Sequence, residues 1–181
     1  MESQGFYLTE YAGDVVEFLV EQHDELRGLL PRVLAATGPE RQRAFDAARA
    51  ALARHEAAEE AVLRPLTREA PGGDGLAEAR TIEEERATQA LELLERYDVD
   101  SVPFETEFRT FMEAVLEHAE KEETAEFPLL RRTHDPDTLR RARRAVEEAE
   151  AGRRPEPVTA DEHGGTFAAL RERARRLFHT S

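Results

Sequence analysis

The sequence predicts an all-α fold: an antiparallel, up-down-up-down four-helix bundle with one or two extra C-terminal helices. Three observations carry this. Apolar residues recur at spacings of three and four along almost the whole chain, which is the helical period. Ala, Glu, Arg and Leu dominate, and β-branched runs are few. Breaker residues gather at a few short places, and long helices joined by short loops pack as antiparallel neighbours.

The elements follow in order. A first helix is expected over about 12–35, with Val15, Phe18, Leu19, Leu26, Leu29, Leu30 and Val33 on one stripe. Thr37, Gly38 and Pro39 end it and open a second over about 40–69, whose stripe is Phe45, Ala48, Leu52, Val62 and Leu66. The run from Pro71 to Gly75 is a loop. A third helix follows over about 75–97, with Leu76, Ala87, Ala90, Leu91 and Leu94. Asp100, Ser101 and Pro103 start a fourth over about 102–133, with Phe104, Phe108, Phe111, Val115 and Leu129. Asp135 and Pro136 cap a basic segment over 136–150, and residues 151–157 form a Pro/Arg linker. Thr159 with Glu162 fits a capping box for a last helix striped by Phe167, Leu170, Ala174 and Leu177. The expected division is a bundle over 1–133 and a helical extension over 134–181, packed on it as a lid or used for dimer contact.

At 181 residues and 20.5 kDa the chain makes one domain with a sizeable core and no need of a disulfide. It has no cysteine, which excludes disulfide frameworks, thiolate metal sites and cysteine nucleophiles. Residues 1–130 carry 13 basic and 30 acidic side chains, and residues 131–181 carry 12 and 9. An acidic body argues against nucleic-acid binding, which needs clustered cations. The arginines of the tail read as a solvated face complementing that body. There is no membrane-length apolar run and no signal-type N-terminus, so no membrane contact and a cytoplasmic location are expected. The glycine-rich loop follows a helix rather than a strand, so it is no phosphate loop.

The chemistry lies in an internal repeat. His55-Glu-Ala-Ala-Glu-Glu-Ala-Val-Leu-Arg-Pro-Leu66 and His118-Ala-Glu-Lys-Glu-Glu-Thr-Ala-Glu-Phe-Pro-Leu129 match at five of twelve positions, at an offset of 63. Each copy places a histidine four residues before a glutamate: His55 with Glu59, and His118 with Glu122. Residues so spaced share one helix face about 5–6 Å apart. Both histidines continue the apolar stripe, three residues after Leu52 and Val115, and Val62 and Ala125 extend it. Four ionisable side chains at core positions are costly unless paired or coordinated, and a metal satisfies all four.

His23 lies in the stripe of the first helix, and aligning the stripes of helices 1 and 3 at an offset of 61 sets Glu84 opposite it. Glu83 and Glu85 point elsewhere. The expected layer is His23, His55, Glu59, Glu84, His118 and Glu122. Glu84 has two readings, a ligand or a surface member of the Glu83–Glu85 run. A buried polar network without metal, in a purely structural bundle, is the alternative for the layer. Mixed N/O donors suit iron, manganese or zinc, and bundles hold such di-metal carboxylate sites.

The order His23, His55-x-x-x-Glu59, His118-x-x-x-Glu122 over about residues 12–131 resembles the hemerythrin-like HHE cation-binding family. That resemblance implies a non-haem di-iron centre with oxo and carboxylate bridges. Glu59 and Glu122 would bridge, and His23, His55 and His118 would be terminal ligands. The family carries a further histidine on helix 3 where this chain has Glu84, so the chain looks like a histidine-poor variant. A carboxylate there hardens the site and favours ferric iron. This argues against reversible oxygen carriage and for chemistry on O2, hydrogen peroxide or nitric oxide. It equally fits a weakened metal position or a recruited ligand: His163, or a tyrosine among Tyr7, Tyr11 and Tyr97. His134 and His179 read as solvent histidines.

Two functional readings follow. One is a metalloprotein, monomer or homodimer, that binds or turns over a small diatomic or peroxide ligand, possible enzymes being peroxide- or nitric-oxide-consuming oxidoreductases. The other is a non-enzymatic iron, oxygen or redox sensor or store that signals through the C-terminal helices. Asp24, Glu56, Glu60 and Glu123 have two readings: groups that accept protons or hold the histidines in orientation, or, as the preferred one, residues on flanking faces that serve solubility.

Overall fold

The computed structural model describes residues 12–151 and 166–178. Among them every regular element is helical and there is no strand. Helix α1 is Val15–Ala35, α2 Gly38–Ala58 and α3 Arg64–Glu69. Then come α4 Gly73–Leu94, α5 Val102–Lys121, α6 Phe127–Thr133, α7 Pro136–Ala151 and α8 Phe167–Phe178. Two π-helical turns, Glu59–Leu63 and Glu122–Glu126, join α2 to α3 and α5 to α6 without a break. No helix of the described residues is long and apolar enough to cross a membrane.

Local chemistry sets the helix ends. The Asp14 side chain caps α1 by accepting from Glu17 N at 2.8 Å, and Glu17 accepts from Gly13 N at 2.6 Å. Asp14 also takes Arg131 Nε at 2.8 Å, which ties the start of α1 to α6. Gly38 opens α2 at φ +56°, its N–H donated 2.9 Å to Asp100 from the loop before α5. Gly73 has no room for a Cβ, which would fall 1.7 Å from the Thr67 carbonyl oxygen. Ser101 caps α5 by accepting from Phe104 N.

Helix α1 packs along α2 and against α5, and α4 packs along α5. Two apolar clusters result. One gathers Leu26, Leu30, Leu52, Phe104, Phe108 and Val115 with Phe167 of α8. The other gathers Leu19, Leu63, Phe127 and Leu130 with Leu139 and Val146 of α7. His23 falls between Leu19 and Leu26, and His55 between Leu52 and Leu63, so the polar layer lies between the clusters. Helix α7 packs on α1, and α8 on α2 and α4. Tail arginines pair with the acidic body: Arg171 with Glu56 at 3.1 Å and Arg175 with Glu60 at 2.7 Å.

The stripes expected for the second and fourth helices need one correction. They hold up to the glutamate of each repeat and then slip by one residue. Leu63 and Thr67 are buried in place of Val62 and Leu66, and Glu126 and Leu130 in place of Ala125 and Leu129. The cause is the π turn, whose extra residue rotates everything beyond it. Both turns precede a proline, Pro65 and Pro128. A proline in a continuing α-helix clashes with the carbonyl four residues back, and the wider turn makes room for it.

Candidate metal centre

The repeat delivers its side chains to one place. His23, His55, Glu59 and Glu122 have donor atoms within 4.8 Å of one another, and so do Glu59, Glu84, His118 and Glu122. The two groups share Glu59 and Glu122. Each shared carboxylate offers one oxygen to each side. Glu122 Oε2 lies 3.2 Å from His23 Nε2 and Oε1 lies 3.3 Å from His118 Nε2. Glu59 Oε1 lies 3.2 Å from His55 Nε2, and Oε2 lies 3.9 Å from His118 Nε2. Glu59 and Glu122 are fully buried, and Glu84 is 5% exposed. All six residues of the expected layer are therefore brought together, and Glu84 is in the interior rather than on the surface. Glu85 is exposed, as expected.

The atoms facing inward fit a cation. His23 Nε2, His118 Nε2, Glu59 Oε1 and Glu122 Oε2 are buried and make no hydrogen bond among the described residues. Buried polar atoms are ordinarily satisfied, and four of them converging from three helical arms make a donor set of nitrogen and oxygen. The other ring nitrogens are engaged. His23 Nδ1 donates to Glu123 Oε1 at 2.7 Å, and His118 Nδ1 donates to Glu83 Oε2 at 2.9 Å. His55 Nδ1 donates to Gln22 Oε1 at 3.1 Å. In the neutral ring an acceptor on Nδ1 fixes the hydrogen there and leaves Nε2 as the donor lone pair.

These partners correct two expectations. Glu83 does not point elsewhere, and Glu123 is more than a solubilising residue, because each holds a histidine of the layer. The Nδ1-to-Nε2 axis of an inward imidazole spans the helix interface, so its outer nitrogen meets the neighbouring helix. Asp24 and Glu60 are exposed as expected, but Glu56 is buried. His134 is half-buried and bonds the Leu66 carbonyl through Nε2 at 2.9 Å. Tyr97 packs against the Phe-rich cluster, away from the layer. Tyr7, Tyr11, His163, His179 and the Thr159–Glu162 capping box lie outside the described residues.

Two buried side chains were not foreseen. Arg64, 2% exposed, reaches Glu84 Oε1 at 2.5 Å, Glu122 Oε1 at 2.6 Å and Glu59 Oε2 at 3.4 Å. Glu126, fully buried, takes Arg64 Nη1 at 2.6 Å and the Thr67 hydroxyl. The π turn carries both inward. The signal available in the sequence was the proline after each of them, at Pro65 and Pro128.

Electrostatics follow burial. Burial pushes the Glu59 carboxyl well up, with Glu122 adding to it. Burial would do the same to Glu122, but His118, His23 and Arg64 hold it well below the carboxylate range. Burial would lower the His118 imidazole, yet Glu122 and Glu59 beside it lift it to about 11. A cavity of about 280 Å³ leads from the layer outward between α4 and α5. Leu26, Leu52, Ala87, Ala90, Phe111 and Val115 give it an apolar wall.

Residues 14–130 match the family model described as the hemerythrin HHE cation binding domain. The fold is similar to the crystal structure of a hemerythrin HHE cation binding domain-containing protein from Mycobacterium kansasii, at a TM-score of 0.69 and 20% identity. That similarity covers 91% of this chain and 96% of the other. No curated protein matches.

Proposed function

The chain belongs to the hemerythrin HHE cation-binding family, and on that premise we propose that it holds two metal ions, iron in the first instance, in an up-down-up-down bundle and uses them on a small oxidant. The observation that carries this is the pair of overlapping donor sets. Position one is His23, His55, Glu59 Oε1 and Glu122 Oε2. Position two is His118, Glu84, Glu59 Oε2 and Glu122 Oε1. Two carboxylates with one oxygen on each side are what a bridged pair requires, and a one-ion site has no use for the second set. Three imidazoles and three carboxylates suit iron, with manganese and zinc as the other fitting metals.

When bound, an iron pair supplies electrons one at a time to O2, hydrogen peroxide or nitric oxide. The chain's residues do the rest. Gln22, Glu83 and Glu123 hold each imidazole with Nε2 inward. The apolar wall of the cavity gives a small uncharged molecule a path to the layer. Glu56, whose carboxyl burial raises to about 8 against Arg171, lines the same cavity and is placed to hold a proton there.

A second reading has an observation of its own. Helix α8 lies on α2, and its Arg171 pairs with Glu56, the residue after His55. A change at the layer therefore has a direct route to the C-terminal helix, as a sensor needs. Metal content and the visible spectrum of freshly purified protein test the main reading, repeated on His118→Ala. About two irons per chain, with an absorption band lost in the variant, is the expected result. Colourless, metal-free protein that takes up no added iron would sink it. Rapid peroxide or nitric oxide consumption then favours turnover over sensing.

A further inference from the structure

The repeat that pairs His55 with His118 and Glu59 with Glu122 also pairs Arg64 with Phe127. At that position the copies differ, while the proline and leucine that follow are the same in both. Phe127 stacks on His23, ring centroids 5.6 Å apart, and gives position one an apolar wall. Arg64 brings position two a permanent charge, since a guanidinium does not deprotonate in a protein. Its bonds are selective. Arg64 Nη2 lies 2.5 Å from Glu84 Oε1, 2.6 Å from Glu122 Oε1 and 3.4 Å from Glu59 Oε2. Arg64 Nε donates to the same Glu84 oxygen at 3.0 Å. Three of the four donors of position two are thus held by one guanidinium. For Glu59 and Glu122 it takes the oxygen that faces His118, and leaves the one that faces His23 or His55.

From this we propose that Arg64 is a resident cation that makes the two halves of the centre unequal, so that position one fills first and position two fills only against the guanidinium. The inference rests on the two-position reading above. The mechanism is competition and repulsion. A divalent ion at position two competes with Arg64 for the Glu84 carboxylate and for Glu122 Oε1, and it meets a like charge in a buried, weakly screening setting. The guanidinium does not leave, because Glu126, which belongs to neither donor set, holds Nη1 at 2.6 Å. The Glu126 carboxylate and the Thr67 hydroxyl bonded to it are the anchor that keeps the charge beside the centre. Position one has no such competitor: its imidazoles come from α1 and α2, and its nearest break in the repeat is a phenyl ring. The divergence of one position in a duplicated motif thereby turns a pseudo-symmetric pair into an ordered one.

Zinc, which is redox-silent, is the probe. The metal-free full chain is titrated calorimetrically with Zn(II), and the imidazole nitrogens are followed by NMR in the same titration. In the wild type the first equivalent is expected to bind about 100-fold more tightly than the second, the upper end of what one outer partner does to a site. His23 and His55 Nε2 shift with the first equivalent, and His118 Nε2 completes its shift only with the second. In Arg64→Gln, which keeps hydrogen bonding and removes the charge, the second step is expected to tighten about tenfold, with the first nearly unchanged. Two equal steps in the wild type, or His118 shifting together with His23, overturn the inference and leave the two-position centre standing. So does a folded Arg64→Gln whose second step is unchanged. A chain that binds neither zinc nor iron overturns both. The order of histidine shifts needs no variant, so it can still overturn the inference where Arg64→Gln does not fold, while the change in the second step on removing the charge is what assigns the order to Arg64.

Discussion

Each inward histidine works through a second residue on a neighbouring helix. Glu123 receives His23 Nδ1 and is itself held by Arg27 Nη2 at 2.7 Å. Glu83 receives His118 Nδ1 and is held by Lys121 at 2.9 Å and by Arg80. Burial alone would raise the Glu83 carboxyl, but Lys121 and His118 keep it below its ordinary value, so it stays an acceptor. Glu123→Gln and Glu83→Gln should each weaken metal binding about 10- to 100-fold. Competition against a chromophoric chelator reads this directly, and unchanged affinity in both variants would show that the histidines need no outer partner. The inward residues were legible because a histidine three positions after an apolar residue has to face the core. Their outer partners were not. Which of several consecutive glutamates meets an imidazole edge depends on how two helices are rotated against each other, and spacing within one helix carries no such information.

At the scale of elements, the repeat and the helix ends could be read because capping residues, prolines and glycines act locally. The register beyond Glu59 and Glu122 could not, because a stripe drawn at 3.6 residues per turn assumes an unbroken helix. The π turns break that assumption at Glu59 and Glu122, which moves Arg64 and Glu126 into the interior. Such turns recur at functional sites because they re-aim side chains without ending the helix. The docking of α8 was legible only as an amphipathic stripe. Its contact is with α2 and α4, fixed at one end by Phe167, whose ring is fully buried and whose N–H donates to Glu95. Arg49 on α2 pairs with the same Glu95, so three helices meet there. Phe167→Ala should cost about 3–5 kcal/mol where α8 unfolds together with the body. Where α8 melts on its own, the cost to the body is smaller and amide exchange over 167–178 rises first. Hydrogen exchange on the variant separates the two outcomes, and unchanged protection of α8 would mean that the Arg171 and Arg175 pairs hold it without the ring.

For the molecule as a whole, the polar layer makes stability depend on pH with a sign that metal should change. Burial raises the Glu56 carboxyl from 4.5 to about 8, with Arg171 opposing. His118 is lifted from 6.5 to about 11 by Glu122 and Glu59, against the effect of burial. Both groups bind protons more tightly folded than unfolded. Their contribution is complete below the unfolded value and is lost as pH climbs to the folded one. The window is 4.5 to about 8 for Glu56 and 6.5 to about 11 for His118. His55 moves the other way: burial, with the charge of His23, pushes it well down, so its cost falls below pH 6.5 and is gone above it. Between pH 6.5 and 8.5 nothing in this set offsets the loss. The melting temperature of chelator-treated protein should fall on the order of 5 °C across that range. Metal reverses the balance, because His118 must give up its proton to become a ligand and affinity therefore rises with pH. Melting curves at pH 6.5, 7.5 and 8.5, with chelator and with saturating zinc, should diverge as pH rises. Glu56→Gln should flatten the chelator series below pH 8 and leave the zinc-dependent gap in place. Parallel series with and without metal would mean that His118 keeps its proton in the loaded protein, and that position two draws on the carboxylates alone.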